Sequence, residues 1–189
     1  MSWTAVVPLK TAADRKTRLS PSLDLAERIR LSDHMARQVI ATLKATEGIG
    51  RVLLLSPAPP EALDAGWLPD RGAGLNAELT RVRVGLGAPI LVIHADLPLL
   101  VREDIELLLN AANEKGVAIA PDRHGEGTNA VALADARPFR FAFGPGSFRA
   151  HSADARGAVV RRPGLSLDID SPEDLQAARA AGLRALPPY

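Results

Sequence analysis

Short apolar runs alternate with longer stretches of helical spacing along most of this chain of 189 residues. The runs around Val6-Val7 (ending at Pro8), Arg51–Leu55, Pro89–Asp96, Val117–Ala120 and Asn129–Leu133 read as strands. Between them, Leu25, Ile29, Met35, Val39 and Leu43 recur near a helical stripe, and Leu75–Leu86 and Arg102–Lys115 read as two more helices. Parallel neighbours in a sheet need a crossover, which a helix supplies. The alternation therefore predicts a mostly parallel sheet inside a three-layer α/β/α sandwich, with residues 1–189 forming one domain. Local signals agree. Asp24 with Glu27 spells a capping box, Gly48 and Gly50 stop the first helix, and Gly72–Gly74 opens the second. Gly116 closes the third, and Ser171 with Pro172 and Asp174 starts the last. The stretch 117–165 departs from strict alternation, which predicts an inserted antiparallel element forming one wall of a site.

Composition narrows the function classes. Apolar residues make up 47% of the chain, which excludes a disordered polymer. There is no cysteine, so disulfides and thiolate metal sites are excluded. A formal charge of +1 argues against a general nucleic-acid binder. No apolar run approaches the roughly 20 residues that cross a bilayer. Met1-Ser2-Trp3-Thr4 does not lead into a signal-peptide core, so a cytoplasmic location is expected, with no membrane partner.

In open α/β sheets, ligands sit beyond the carboxyl ends of the strands. The run Pro89–Asp96 is expected to deliver Asp96 there, because Pro98 cannot continue a ladder. The run Leu165–Asp170 reads as another strand. Alternate residues on a strand share a face, so Asp168 and Asp170 would aim together, and carboxylates that close repel unless a cation or protons intervene. Oxygen ligands of this kind suit a hard cation such as Mg²⁺, which in turn holds phosphates. The loop after the first strand concentrates Lys10, Arg15, Lys16 and Arg18, a basic cover suited to a triphosphate, although a solvated basic loop would look the same. Two glycine-rich turns, Gly125–Asn129 and Gly144–Ser147, add backbone donors and hydroxyls suited to a second anion. His94 is expected inside its strand as buried structure, His151 near the substrate, Trp3 and Trp67 in packing, and Glu126 in solvent.

Several stretches in this order carry a resemblance: Val7-Pro8-Leu9-Lys10, Lys16-Thr17-Arg18-Leu19, Gly74-Leu75-Asn76, Ala95-Asp96-Leu97-Pro98, Ala120-Pro121-Asp122-Arg123, Gly127-Thr128-Asn129, Phe143–Phe148 and Asp168–Leu175. The chain resembles the CofC/FbiD guanylyltransferases of coenzyme F-420 biosynthesis, within the MobA-like nucleotidyltransferases and their Rossmann-like sandwich. The resemblance implies transfer of GMP from GTP to a small phosphorylated three-carbon acid: 2-phospho-L-lactate, phosphoenolpyruvate or 3-phospho-D-glycerate. It implies Asp96, Asp168 and Asp170 on Mg²⁺, with Asp96 also catalytic. Lys10, Lys16 and Arg18 would act along the triphosphate, and Gly74 and Asn76 would touch the nucleotide. Thr128, Asn129, Gly144 and Ser147 would hold the acid. A homodimer is suggested in the same way. Ser56–Gly72 departs from the family pattern. Two other readings stay open, a MobA-like transferase for molybdopterin or a sugar phosphate, and a nucleotide-binding module without catalysis.

Overall fold

The computed structural model describes residues 2–11, 16–59 and 63–183. Seven strands form one sheet: β1 (Trp3–Pro8), β2 (Ile49–Ser56), β3 (Gly66–Pro69), β4 (Ile90–Ile93), β5 (Val117–Pro121), β6 (Thr128–Leu133) and β7 (Ala158–Val159). Their order is β3-β2-β1-β4-β6-β5-β7. Six α-helices accompany them among the described residues: α1 (Leu25–Ala45), α2 (Leu75–Leu86), α3 (Arg102–Lys115), α4 (Ser147–Ala155), α5 (Pro163–Ser166) and α6 (Pro172–Ala180). The sheet is parallel except at β6, which runs antiparallel to β4 and β5. The inserted antiparallel element therefore exists, and it turns the start of β6 toward the carboxyl end of β4.

Period-2 alternation builds the layers. Ala5 and Val7 of β1 pack with Val39 and Leu43 of α1 and Leu108 of α3, while Val6 between them joins Leu79 and Val82 of α2 on the other face. Beyond that second face, Phe141 and Phe143 complete the packing. A third cluster of Leu19, Leu31, Met35, Ile169 and Leu175 lies under the start of α1 and α6. No helix among the described residues is long and apolar enough to cross a membrane.

Several boundaries move. The α1 stripe is real, but Leu25 at its first turn is half exposed, and the helix ends at Ala45, ahead of Gly48. Thr46 closes it instead, its hydroxyl donating to Thr42 O at 2.8 Å. β4 stops at Ile93, three residues before Asp96. His94 N still donates to Asn129 O at 2.9 Å, and the chain then bends, so His94 is half-buried beyond the strand rather than inside it. The largest correction concerns 165–170. Pro163 sits at the first position of α5, and Leu165 N and Ser166 N bond back to Arg162 O at 3.0 and 2.9 Å. That first turn replaces the expected strand, and Leu167–Asp170 follows outside any strand, its residues alternating buried and half-buried. The short strands β3 and β7 were not expected. Each lies at a sheet edge and lacks a run long enough to show alternation.

Candidate active site

Asp96, Asp168 and Asp170 converge at the carboxyl ends of β1 and β4. Each offers an oxygen, and these oxygens lie within 4.8 Å of one another. The convergence does not need the expected strand. Ile169 N donates to Asp96 O at 3.3 Å, which lays the extended segment beside residue 96 and sends Asp168 and Asp170 out on the same side. Ser171 then caps α6: its hydroxyl accepts from Asp174 N, while the Asp174 carboxylate accepts from Ser171 N at 2.8 Å and Asp170 N at 3.1 Å. Asp170 is thus held at the lip of the cap while its own carboxylate stays available.

One cation already serves the cluster. Lys16 donates to Asp96 Oδ2 and, at 2.8 Å, to Asp170 Oδ1. Its side chain is 7% exposed, and its backbone sits in the left-handed region, at φ 54° and ψ 36°. That conformation is uncommon for a residue with a Cβ and is a mark of functional sites. Burial disfavours the ammonium, but Asp96 and Asp170 outweigh it and hold the Lys16 pKa above its ordinary value. Burial also opposes the Asp96 carboxylate, and Lys16, with His94 nearby, brings its pKa below the usual range. Asp168 has no ion-pair partner among the described residues. Burial, and then the charge of Asp96, push its pKa from 3.8 to about 6, against the opposing hydrogen bond from Asn129.

Asp96 Oδ1 is buried with no hydrogen-bond partner. A buried acceptor left unpaired is costly, and a divalent cation would satisfy it. The donor set is oxygen only, which fits Mg²⁺ better than a softer metal.

The other expected residues fall into distinct places. Lys10 and Arg18 lie on the exposed chain around the cluster, so Lys16 is the member of this basic set that reaches the carboxylates in this conformation; Arg15 lies outside the described residues. Gly74 caps α2 at φ 90°, and a side chain there would meet no atom within 4 Å of its Cβ, so the backbone edge is open. The Asn76 carboxamide is engaged on both sides by Phe143, donating to its O at 3.0 Å and accepting from its N at 2.7 Å. It ties α2 to the Gly144 turn. Asn129 is buried, and its Nδ2 donates to Leu165 O, to Ser166 O and, at 3.1 Å, to Asp168 Oδ1. It holds Asp168 in place from behind. Thr128 and Ser147 are both buried, 2% and 1% exposed, and Ser147 Oγ has no hydrogen-bond partner. Gly144, at φ 130°, and Gly146, in the left-handed region as the cap of α4, shape the turn that presents Ser147. Glu126 is exposed, as expected.

Three residues hold the site in ways that the sequence did not assign to them. Asp122 closes the turn before β6, accepting from Glu126 N at 3.0 Å and Gly127 N at 2.8 Å. An Asp two to five residues before a glycine is a readable turn signal. Buried Glu78 accepts from Arg71 N and Ala73 N and anchors the loop entering Gly74. Its only signal is an acid beside Leu79 on a helix stripe. The ring of His94 lies 5.4 Å from that of Phe143, between the carboxylates and the Gly144 turn. A cavity of about 890 Å³ opens elsewhere, at the amino ends of the parallel strands by Trp3, Asn110 and Gly116. We place the site at the carboxylates nonetheless, because they are the one potential metal-ligating group among the described residues.

A solved protein from Desulfovibrio desulfuricans G20, provisionally named a nucleotide-diphospho-sugar transferase, shares this fold with a TM-score of 0.72 at 15% identity, over 98% of this chain and 92% of its own. Together with the relatives below, the fold and its acidic site define a nucleotidyltransferase. Residues 3–181 match the family described as guanylyl transferase CofC like, and the chain belongs to that family. A phosphoenolpyruvate guanylyltransferase from Rubrobacter xylanophilus is 42% identical over 198 residues, 96% of each chain. A 2-phospho-L-lactate guanylyltransferase from Methanosarcina mazei is 37% identical over 179 residues, 90% of this chain and 83% of its own.

Proposed function

We propose that the chain transfers GMP from GTP to a small phosphorylated three-carbon acid, releasing diphosphate, as a step of coenzyme F-420 biosynthesis. Phosphoenolpyruvate is the first choice of acid, from the relative named for it, followed by 2-phospho-L-lactate and 3-phospho-D-glycerate. The carrying observation is the pairing of two chemically opposite subsites. On one side, three aspartates converge, two of them share Lys16, and one acceptor is left unpaired; on the other, two buried hydroxyls sit at a glycine turn.

In this reading a phosphate oxygen of the acid attacks the α-phosphorus of GTP, and the bond from that phosphorus to the bridging oxygen of the β-phosphate breaks. The nucleophile is already an anion, so no general base is required, and the barrier falls through alignment and charge stabilisation. Asp96, Asp168 and Asp170 would hold Mg²⁺, which supplies charge neutralisation on the phosphates. Lys16 offers an ammonium beside that cluster. Lys10 and Arg18 would lie along the leaving diphosphate, and the backbone at Gly74 would border the nucleotide. Thr128 and Ser147 donate to the acid with Gly144 giving backbone access, while Asn129 and Asn76 act from behind.

The test is diphosphate release from GTP, Mg²⁺ and each of the three acids, repeated with ATP and CTP. Release with GTP and at least one acid is expected. The three acids differ by small groups worth about 1–3 kcal/mol, so their ranking comes from kcat/KM rather than from all-or-none behaviour. No diphosphate with any acid refutes the proposal. Light scattering of the purified chain tests the homodimer.

A further inference from the structure

His151 lies on α4 one turn after Ser147 and is fully buried. Its two ring nitrogens meet different groups. Nε2 lies 2.9 Å from Ala142 N, a backbone amide that can only donate. Nε2 must therefore hold a lone pair, and the proton of the neutral ring belongs to Nδ1. Nδ1 in turn faces Thr128 Oγ1 at 3.0 Å. That leaves the threonine oxygen as the acceptor of this bond. The proton of the Thr128 hydroxyl then has to point elsewhere, and no protein acceptor takes it among the described residues.

We propose that His151 is a positioning residue that sets the polarity of Thr128, turning its O–H outward so that it donates to the phosphorylated acid. The inference rests on the functional reading above and adds to it the element that decides which end of the hydroxyl meets the ligand. A hydroxyl presenting lone pairs to a phosphate or carboxylate repels it, and one presenting its proton makes a charge-assisted bond. Backbone geometry supplies the direction: the amide of Ala142 cannot reverse, so the chain of donors runs one way, from Ala142 through the imidazole to Thr128 and outward. Phe139 and Phe143 fix the ring plane, with centroids 5.4 and 5.0 Å from the imidazole. Phe143 is the residue gripped by Asn76, so the same strut steadies the imidazole's surroundings.

Two substitutions separate the two hydrogen bonds. His151→Gln reaches far enough to accept from Ala142 N but gives up the donor near Thr128. His151→Asn places a donor near the Nδ1 position and gives up the acceptor. Steady-state kinetics with GTP and the preferred acid should show His151→Gln raising the KM for the acid by roughly 10- to 100-fold, the range for a hydrogen bond to a charged group, with the KM for GTP changed less than about twofold. His151→Asn should recover most of that loss. Thr128→Val should show a similar rise, and adding His151→Gln to it should cost less than a further factor of about two, since the path through the hydroxyl is already gone. Equal rises in both KM values, or losses that multiply in the double variant, would show a general structural role and overturn the inference. A long-range ¹⁵N–¹H spectrum of the wild-type ring checks the same point without turnover. An Nδ1–H tautomer is expected, and an Nε2–H tautomer overturns the inference regardless of activity. If the wild type turns over none of the acids, the functional reading falls first and this assignment of the ligand falls with it.

Discussion

Replacing Asp168 by Asn should stabilise the metal-free protein at neutral pH. Asp168 is pressed by burial and by the charge of Asp96, and its pKa rises from 3.8 to about 6. The folded state therefore holds this proton more tightly than the unfolded chain does. Below pH 4 both states keep it and nothing is lost. As the pH rises from about 4 to 6, the unfolded chain releases it first, and folding loses stability that it does not regain above pH 6. The full displacement corresponds to about 3 kcal/mol, an upper bound at one pKa step per 1.36 kcal/mol. Lys16 neutralises part of the cluster, and Asp168 is only partly buried, so a gain of about 1–2 kcal/mol is expected, or roughly 2–8 °C for a domain of this size. Asn keeps an oxygen that can accept from Asn129 Nδ2, so the substitution removes charge with little change of shape. The assay is thermal unfolding in chelator from pH 4.5 to 7.5, wild type against Asp168→Asn. The difference should grow with pH and level off near pH 7. Added Mg²⁺ should raise the wild-type midpoint and leave the variant almost unmoved. A variant no more stable than wild type at pH 7 without metal would refute the electrostatic account of the cluster.

Other substitutions read neighbouring parts of the site. Lys16→Met leaves Asp96 and Asp170 facing each other without their ammonium and should cost about 1–3 kcal/mol in chelator, part of it restored by Mg²⁺, with turnover reduced by at least about 100-fold. Asp170→Asn should abolish diphosphate release while the unfolding midpoint stays near wild type. Asn129→Leu removes the group that holds Asp168, and the Mg²⁺ concentration for half-maximal rate should rise roughly 10- to 100-fold. Asp174→Asn weakens the α6 cap and the 2.7 Å ion pair with Arg123, costing about 1–2 kcal/mol near pH 7. Burial raises the Asp174 pKa, but bonds from Ser171 and Asp170 and the Arg123 charge bring it below the ordinary value, so this contribution is present above about pH 4 and fades as the pH falls through the folded pKa. An Asp174→Asn penalty that persists unchanged at pH 3 would contradict that sign.

The layers were legible because α1, α2 and α3 carry long periodic stretches bounded by readable caps. The capping boxes at Asp24 and Ser171 and the glycine at 116 stand where expected. Short elements were not legible. β3 and β7, of four and two residues, exist because an edge was available to pair with, not because their residues alternate. The segment 165–170 shows how a right placement can follow from a wrong element. Asp168 and Asp170 point together because extended backbone alternates whether or not a ladder forms, and one bond from Ile169 to Asp96 suffices to hold it. What sequence spacing could not reveal was direction within polar groups. Asn76 and Asn129 both stand in motifs that suggest ligand contact, yet the structure turns their amides onto Phe143 and Asp168. An amide one residue from a ligand-facing backbone looks the same in sequence whether it faces outward or inward.

The hydrogen-bond defects of the two subsites differ in sign, and this bears on how a single reaction fits between them. Asp96 Oδ1 is an acceptor with no donor, in a cluster whose net charge stays negative even with Lys16. Among the described residues, Ser147 Oγ is a hydroxyl with no partner and the Thr128 proton has no acceptor, beside the ring of His151 with Phe139 and Phe143 around it. A cation satisfies the first, and an anion satisfies the second. Bringing two phosphates into contact costs Coulomb energy that rises steeply once water is excluded. Under the proposed function, the fold meets that cost by placing the cation-seeking group at the carboxyl end of β4 and the anion-seeking group at the start of β6, its antiparallel neighbour. The reversal of β6 is what makes the two ends coincide. With β6 parallel, Thr128 would fall at the amino end of the sheet, far from Asp96, and the hydroxyls would have no phosphate to meet.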